Sequence, residues 1–181
     1  MPDGEDLARL NQDVRRALRD YPDFPRPGIL FRDIAPVLAS PALLERVTAC
    51  FAAVAHERRA EKIAGIESRG FLFAAPVAVE LGLPLVPIRK QGKLPGETVF
   101  AVYDLEYGTA RLEMQSDSVG DGEHVMLIDD LLATGGTASA AAGLIRRLGG
   151  IVVELGFLVE LSSLNGRSLI SEYNVFSILS L

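Results

Sequence analysis

Two adjacent carboxylates, Asp129 and Asp130, follow an apolar run and precede a small turn that contains two glycines. The apolar residues 125–128 predict a buried strand, and the helical spacing of apolar residues over 138–148 predicts a helix. The turn Ala133-Thr134-Gly135-Gly136-Thr137 therefore connects a strand to the start of a helix. Free N–H groups at a helix start bind anions, and the helix dipole favours negative charge there. This stretch predicts a phosphate-binding site.

The two carboxylates require a partner other than phosphate. Sugar hydroxyl groups that donate to Asp129 and Asp130, or a divalent cation carried by a substrate, would satisfy them. Together with the turn, they predict a ribose phosphate ligand. A Walker-type loop has a Lys after its last Gly, and a dinucleotide site needs Gly-x-Gly-x-x-Gly, but residues 125–137 have neither. The structural alternative is an ordinary turn capped by Thr137, with both carboxylates solvated.

Two further loops offer positive charge. Glu67-Ser68-Arg69-Gly70 follows the predicted strand 63–66, so its free N–H groups and the guanidinium form a second candidate anion site. Residues 89–97, Arg-Lys-Gln-Gly-Lys-Leu-Pro-Gly-Glu, follow the predicted strand 85–88 and are the densest basic cluster of the chain. Taken alone, such loops are more often an ordinary helix start and a solvated basic turn.

The order of predicted elements gives the fold class. Helices are predicted at Glu5–Arg19 and Pro41–Glu57, with a proline-rich, non-helical segment between them at Tyr21–Asp33. The predicted strands are residues 63–66, 85–88, 98–102, 111–114, 125–128, 152–161 and 175–179. Helices separate several of them, which predicts an α/β protein with a mainly parallel central sheet flanked by helices. An antiparallel hairpin is inserted near 98–114, and ligands are expected at the carboxyl ends of the parallel strands.

Composition argues against several classes of protein. The 181 residues predict one domain, and the net charge of −6 argues against a nucleic-acid partner bound through a broadly basic surface. The single Cys50, and acidic residues where a signal peptide would be basic, predict a reducing, cytoplasmic setting. Residues 71–88 are largely apolar, but Glu80 and three prolines interrupt them. They predict a helix, a turn and a strand, and no membrane partner is expected.

Taken together, these motifs resemble the type I phosphoribosyltransferases. Leu-Leu-Ala-Thr-Gly-Gly-Thr at 131–137 and Arg-Lys-x-Gly-Lys-Leu-Pro-Gly at 89–96 are similar to the adenine phosphoribosyltransferases of that family, and the resemblance extends over 21–179. It implies the type I phosphoribosyltransferase fold for residues 1–181, with a small N-terminal hood at about 1–36 and a flap hairpin at about 92–114. The implied reaction joins adenine to 5-phosphoribosyl 1-pyrophosphate with Mg²⁺, forms AMP and pyrophosphate, and serves purine salvage in a homodimer.

The resemblance also implies a role for each anion motif. The residues implied to hold the 5′-phosphate are Ala133, Thr134, Gly135, Gly136 and Thr137. Asp129 and Asp130 would orient the ribose hydroxyl groups and would contact Mg²⁺ through water alone, since the ion arrives with the substrate. The residues implied to bind pyrophosphate are Ser68, Arg69, Arg89 and Lys93. Lys93 would serve its own or the neighbouring subunit's site, and the Ser68-Arg69 peptide bond is expected to be cis.

Base recognition and proton transfer are assigned in the same way. The residues implied to contact adenine are Ile29, Phe31, Arg32 and Leu131. A backbone C=O and N–H at Ile29 would match the N6 donor and N1 acceptor of adenine, whereas a 6-oxopurine reverses both. Glu106, at the tip of the inserted hairpin, is implied to be the general acid/base, with Tyr107 as a lid residue.

Two alternatives share the same sugar site. A phosphoribosyltransferase for xanthine or another 6-oxopurine would need a base-reading loop different from Phe24–Asp33. A non-catalytic regulator of the same fold would bind the phosphorylated sugar as a signal and would act on nucleic acid. Residues 1–20 contain four Arg and five Asp and Glu, so they do not form a basic segment that would bind nucleic acid. The presence of Glu106 also favours an enzyme.

Overall fold

The computed structural model describes residues 4–105 and 108–181. The strands are β1 (Arg19–Pro22), β2 (Leu30–Asp33), β3 (Lys62–Ile66), β4 (Leu85–Lys90), β5 (Thr98–Leu105), β6 (Gly108–Gln115), β7 (His124–Leu132), β8 (Ile151–Glu160) and β9 (Val175–Ser180). The helices are α1 (Gly4–Ala17), α2 (Ala35–Leu38), α3 (Pro41–Glu57), α4 (Phe71–Leu81) and α5 (Gly136–Arg147), with short 3₁₀ helices at Ser162–Leu164 and Gly166–Ile170.

Within the described residues, the central sheet has seven strands in the order β5-β6-β4-β3-β7-β8-β9. Neighbours from β4 to β9 run parallel, whereas β6 pairs antiparallel with both β4 and β5. This confirms the predicted α/β class, with a mainly parallel sheet and an inserted antiparallel hairpin. The proline-rich segment between α1 and α2 is non-helical, as predicted, and contains a separate antiparallel pair formed by β1 and β2.

Alternation along β7 divides the core between the two faces of the sheet. Met126 and Ile128 join the hydrophobic cluster that includes residues of α1, α3 and α4, while Val125 and Leu127 join the cluster around α5. Successive side chains of a strand point to opposite faces of the sheet. A strand that is covered on both faces therefore has a continuous run of apolar residues in its sequence. Each fully buried aliphatic side chain stabilises the fold by about 1.5–3 kcal/mol. The helices on both faces thereby fix β7, whose carboxyl end carries the two carboxylates.

Most predicted boundaries agree with the structure, and the differences concern element ends. The helix predicted at Pro41–Glu57 is confirmed, and the Ser40 side chain accepts a hydrogen bond from the Leu43 N–H at its start. The strand predicted to end at Ile128 continues to Leu132, because its pairing with β8 continues as far as Leu132 and Glu160. Asp129 and Asp130 therefore lie within the strand, and the helix that follows begins at Gly136, ahead of its predicted start at residue 138.

The apolar residues 71–88 form α4, a turn and most of β4, as predicted, and Pro76 lies inside α4. None of the helices within the described ranges, 4–105 and 108–181, is long and apolar enough to cross a membrane.

Candidate active site

The carboxyl ends of β3, β4 and β7 surround a cavity of about 330 Å³. Its walls come from the loop after β3, the end of β4, the inner face of β5 and the turn after β7. The lining residues are Glu67, Ser68, Arg69, Lys90, Tyr103, Asp129, Asp130, Leu131, Leu132, Ala133, Thr134, Gly135, Gly136, Thr137 and Ala138. The structure therefore brings together residues 67–69, Lys90 of the basic cluster, and the two carboxylates with the turn that follows them, although these come from three separate stretches of the chain.

The turn between β7 and α5 presents backbone N–H groups to this cavity. Gly135 precedes the helix with a φ of 89°, a left-handed conformation that glycine adopts without strain. The first N–H groups of α5, beginning at Gly136 and Thr137, have no acceptor within the helix. Together with the helix dipole, they form a site suited to a phosphate group.

Asp129 and Asp130 lie at the end of β7, between the turn and the loop Glu67-Ser68-Arg69-Gly70, which we call the arginine loop. The backbone N–H of Asp130 donates to Asp129 Oδ1 at 2.9 Å, and Arg69 Nε lies 2.9 Å from Asp130 Oδ2. Burial, followed by the negative charge of Asp130, raises the pKa of Asp129 well above its usual value. Burial also raises the pKa of Asp130, although the Arg69 guanidinium opposes this shift. The pair is therefore a costly feature of the folded protein, which points to a role in ligand binding.

The arginine loop packs directly against β7, and Gly70 makes this approach possible. A side chain at Gly70 would lie 2.6 Å from the Ile66 carbonyl oxygen and 2.8 Å from Asp129 Oδ1. The cis peptide bond of this loop is Glu67-Ser68. The expectation of a cis bond at Ser68-Arg69 was therefore wrong by one residue, because sequence similarity locates a loop but does not fix the dihedral angle of a particular bond.

A network around Glu67 organises the basic cluster. Arg89 donates to both carboxylate oxygens of Glu67 at 3.2 and 3.1 Å, and the Lys90 N–H donates to one of them at 3.0 Å. The Arg89 hydrogen bond is the largest of the influences that lower the pKa of Glu67. Arg89 also donates to the Lys93 carbonyl at 2.9 Å, while the Gly92 N–H donates to Glu113. Arg89 is thus held against a residue that lines the cavity, while neither Arg89 nor Lys93 lines it.

Sequence reasoning assigned no role to five residues that line the cavity, namely Glu67, Lys90, Tyr103, Leu132 and Ala138. Glu67 and Lys90 lie next to assigned residues, and it is their contacts in the folded chain that identify them. Tyr103 alternates with Val102 along β5, with Val102 60% exposed and Tyr103 turned inward. Period-two alternation along this strand is the signal that could have identified this side chain.

Two of the predicted base-binding residues, Phe31 and Leu131, are connected to the cavity. The Phe31 ring packs edge-on against Phe24 at a centroid distance of 5.1 Å, and the Arg69 guanidinium carbon lies 5.5 Å from the Phe31 centroid. Arg32 forms an ion pair with Asp20 across the β1–β2 pair. Leu131 lines the cavity itself. Arg69 therefore links the arginine loop to both Asp130 and the aromatic ring of the N-terminal segment.

The backbone of Ile29 is engaged within its own loop. Its N–H donates to the Arg26 carbonyl at 3.2 Å, and its carbonyl accepts from the Phe24 N–H at 3.2 Å. The carbonyl retains a second lone pair, whereas the N–H has no further capacity to donate. Glu106 and Tyr107, the predicted acid/base and lid residues, lie outside the described residues.

The arrangement suits a ligand with separated anionic groups and hydroxyl groups between them. The turn supplies N–H donors at one end, the arginine loop supplies positive charge at the other, and the two carboxylates accept hydrogen bonds in the middle. Within residues 4–105 and 108–181, no group of three or more His, Cys, Asp or Glu side chains is placed to hold a metal ion. The oxygen atoms of Asp129 and Asp130 are the type of ligand that Mg²⁺ prefers.

Comparison with known proteins agrees with this geometry. A family model described as a phosphoribosyl transferase domain matches residues 35–180. An adenine phosphoribosyltransferase of Frankia alni is 54% identical over 168 residues, which cover 93% of this chain and 89% of the relative. A solved adenine phosphoribosyltransferase of Thermoanaerobacter pseudethanolicus superposes with a TM-score of 0.91 at 45% identity, covering 94% of this chain and 99% of that chain. The Saccharomyces cerevisiae structure, complexed with adenine and an imino-altritol bisphosphate, gives a TM-score of 0.90 at 40% identity, with the same coverage.

Proposed function

Because the chain belongs to the phosphoribosyltransferase family, we propose that it transfers the 5-phosphoribosyl group of 5-phosphoribosyl 1-pyrophosphate to adenine, forming AMP and pyrophosphate. This is the reaction of an adenine phosphoribosyltransferase, a pentosyltransferase that salvages purines. The observation that carries the proposal is the single cavity in which the anion turn, both carboxylates and Arg69 meet. The names of the relatives select adenine over a 6-oxopurine and an enzyme over a regulator.

In this proposal the sugar phosphate lies along the carboxyl end of β7. The backbone N–H groups of residues 133–137 bind the 5′-phosphate, and Asp129 and Asp130 accept hydrogen bonds from the ribose hydroxyl groups. Arg69 is the partner of Asp130 at 2.9 Å in the free protein. The sugar hydroxyl groups replace part of this interaction when the substrate binds. Fixing the ribose at both ends positions C1′ for attack, which is a large part of the catalytic effect.

Pyrophosphate binds at the arginine loop, where Ser68, Arg69, Arg89 and Lys93 provide hydrogen-bond donors and positive charge. The bidentate Glu67 contact holds Arg89 in place before substrate arrives. Mg²⁺, when bound, neutralises charge on the leaving pyrophosphate. It is carried by the substrate, and the protein oxygen atoms available to its water ligands are those of Asp129 and Asp130.

Adenine binds between Phe31 and Leu131, with Arg32 close by. The free lone pair of the Ile29 carbonyl accepts from the N6 amino group, whereas a 6-oxopurine would place an acceptor there. The Ile29 N–H pairs with N1 only after it gives up its bond to the Arg26 carbonyl at 3.2 Å. Each mispaired polar group costs about 1–3 kcal/mol, so two reversed contacts give a discrimination of about thirtyfold or more.

In the bond-changing step, the C1′–O bond to pyrophosphate breaks and the leaving group keeps the electron pair. N9 of adenine bonds to C1′, and the proton released from the purine ring passes to the Glu106 carboxylate. Tyr107 and the flap that carries it exclude water, which would otherwise capture the developing ribosyl cation. Residues 1–181 act as one domain, with a hood at about 1–36 and a flap at about 92–114.

The protein works as a homodimer that packs through α4. Val79 is 82% exposed and Leu72 is 45% exposed, and these residues, seven positions apart, lie on the same face of the helix. Ala75 and Pro76 lie between them on that face and are half-buried. A second copy would cover this apolar surface, and the dimer would bring Lys93 close to one of the two sites. Cys50 is reduced, consistent with a cytoplasmic enzyme.

The test is pyrophosphate release by the purified protein from 5-phosphoribosyl 1-pyrophosphate and Mg²⁺, with adenine, hypoxanthine, guanine and xanthine compared in parallel. We expect release with adenine alone, together with AMP. Release with a 6-oxopurine and not with adenine would refute the base assignment while retaining the sugar site. Absence of release with all four bases would refute the enzyme and favour the non-catalytic regulator.

A further inference from the structure

Residues 161–170, the first part of the segment that connects β8 to β9, lie directly behind the phosphate turn. Gly166 of this segment is buried, and a side chain there would overlap the Ala133 carbonyl oxygen and lie 3.1 Å from the Gly135 nitrogen. The contact is reciprocal, because a side chain at Gly135 would lie 2.5 Å from the Gly166 carbonyl oxygen. Two stretches of backbone thus pack against each other with no side chain between them.

Position 166 requires a glycine because there is no room for a side chain between the two stretches of backbone. Its φ lies outside the left-handed region, unlike that of Gly135, so an alanine at 166 could adopt the same backbone conformation. The atoms that it would meet belong to the backbone of the turn, which cannot rotate away as a flexible side chain could. Substitution at 166 therefore displaces either the turn or the segment behind it.

The segment is itself fixed to the sheet. The Leu161 N–H donates to the Leu132 carbonyl at 2.9 Å, immediately before the turn. Arg167 donates to both oxygens of Glu160 at 2.7 Å each and to the Val175 carbonyl at 3.1 Å. The Glu160 side chain is buried, and Ile170 is fully buried in the core. Because the segment has little freedom to withdraw, an added side chain at 166 moves the turn.

We propose that Gly166 is a positioning residue of the sugar-phosphate site. Its bare backbone, held by the Glu160–Arg167 ion pair, sets the position of the Ala133–Gly135 turn and hence of the N–H groups that receive the 5′-phosphate. The identity of this ligand rests on the proposed function. Hydrogen bonds weaken steeply when their geometry departs from the optimum, so a small displacement of the turn weakens several of them together.

The test compares Gly166→Ala with Gly143→Ala by calorimetric titration. Gly143 lies in α5, has no atom within 4 Å of an added side chain and lies outside the left-handed region. It is therefore a matched control in the helix that follows the same turn. We expect Gly166→Ala to weaken ribose 5-phosphate binding about ten- to a hundredfold, as loss of one charge-assisted hydrogen bond would. Its affinity for magnesium pyrophosphate, and both affinities of Gly143→Ala, change by less than about twofold.

A second variant, Arg167→Lys, retains the charge and loses the bidentate fork to Glu160. It is expected to weaken ribose 5-phosphate binding and to leave magnesium pyrophosphate binding unchanged. If Gly166→Ala does not fold, this variant tests the proposal. Wild-type affinity for ribose 5-phosphate in the folded variant, or equal weakening of both ligands, would overturn the proposal. These titrations need no turnover. If the wild type fails to form AMP, only the proposed function is refuted. The positioning role of Gly166 is tested separately, by comparing the affinities for ribose 5-phosphate and magnesium pyrophosphate.

Discussion

Replacing Asp129 with Asn should have opposite effects on stability and activity, because this carboxylate destabilises the folded protein and is proposed to bind the substrate. Burial and the neighbouring charge of Asp130 raise the pKa of Asp129, so the charged form is disfavoured in the folded protein. We expect the Asp129→Asn variant to gain about 1–2 kcal/mol in free energy of unfolding at neutral pH, because the uncharged amide avoids the cost of burying a charge. For a protein of this size, the gain raises Tm by roughly 2–8 °C.

The sign of the pH dependence follows from the direction of the shift. In the unfolded chain Asp129 titrates near its usual value of about 3.9, and in the folded protein it titrates higher. Between these two values the folded state binds more protons, so the stability of the wild type falls as pH rises. The advantage of the Asn variant is therefore fully present above the folded-state pKa, and it disappears as pH falls toward about 4.

The same substitution is expected to lower activity. In the proposed binding mode, ribose hydroxyl groups donate to a charged carboxylate, and loss of such a bond costs about 1.5–3 kcal/mol, or roughly 10- to 150-fold in kcat/KM. Thermal unfolding at several pH values and AMP formation measure the two effects. Asp117→Asn, a chemically identical change at an exposed turn position, should alter neither. A lower Tm for Asp129→Asn, or a gain that stays constant as pH falls, would refute the reasoning.

Glu67→Gln should lower stability, whereas Asp129→Asn raises it. Because Arg89 lowers the pKa of Glu67, we expect the wild type to have a Tm about 2 °C higher than the variant above the usual glutamate pKa, and this difference shrinks as pH falls through the lowered pKa. A difference that grew in acid would contradict this. Val79→Asp should convert the proposed dimer to a monomer in sedimentation velocity, since it places a charge on the apolar face of α4. A dimer that persists in this variant would place the interface elsewhere. Glu106→Gln should lower kcat by about 10²- to 10⁴-fold and leave ribose 5-phosphate affinity unchanged, with the exposed Glu45→Gln as control. Full turnover by the Glu106 variant would remove this carboxylate from the mechanism.

The sequence predicted the elements and the loops that carry the site, because these depend on local patterns. The apolar run before Asp129 and the glycines after it are contiguous, so strand, turn and helix could be read together. The end of β7 was misjudged because two charged residues are unusual within a strand, and only the pairing with β8 shows that the ladder continues to Leu132. The cis bond was placed one residue late for a related reason, since it is a property of the folded loop.

What the sequence alone determined is the set of anion-binding motifs, their placement at the carboxyl ends of parallel strands and, through family resemblance, the reaction. These follow from residues that are neighbours in the chain. Only the tertiary structure decided which charges pair, with Arg69 on Asp130 and Arg89 on Glu67. It also placed Gly166 behind the turn at Ala133. Contacts of this kind join stretches that are distant in sequence, and their distances are set by how the helices and strands pack on the shared core.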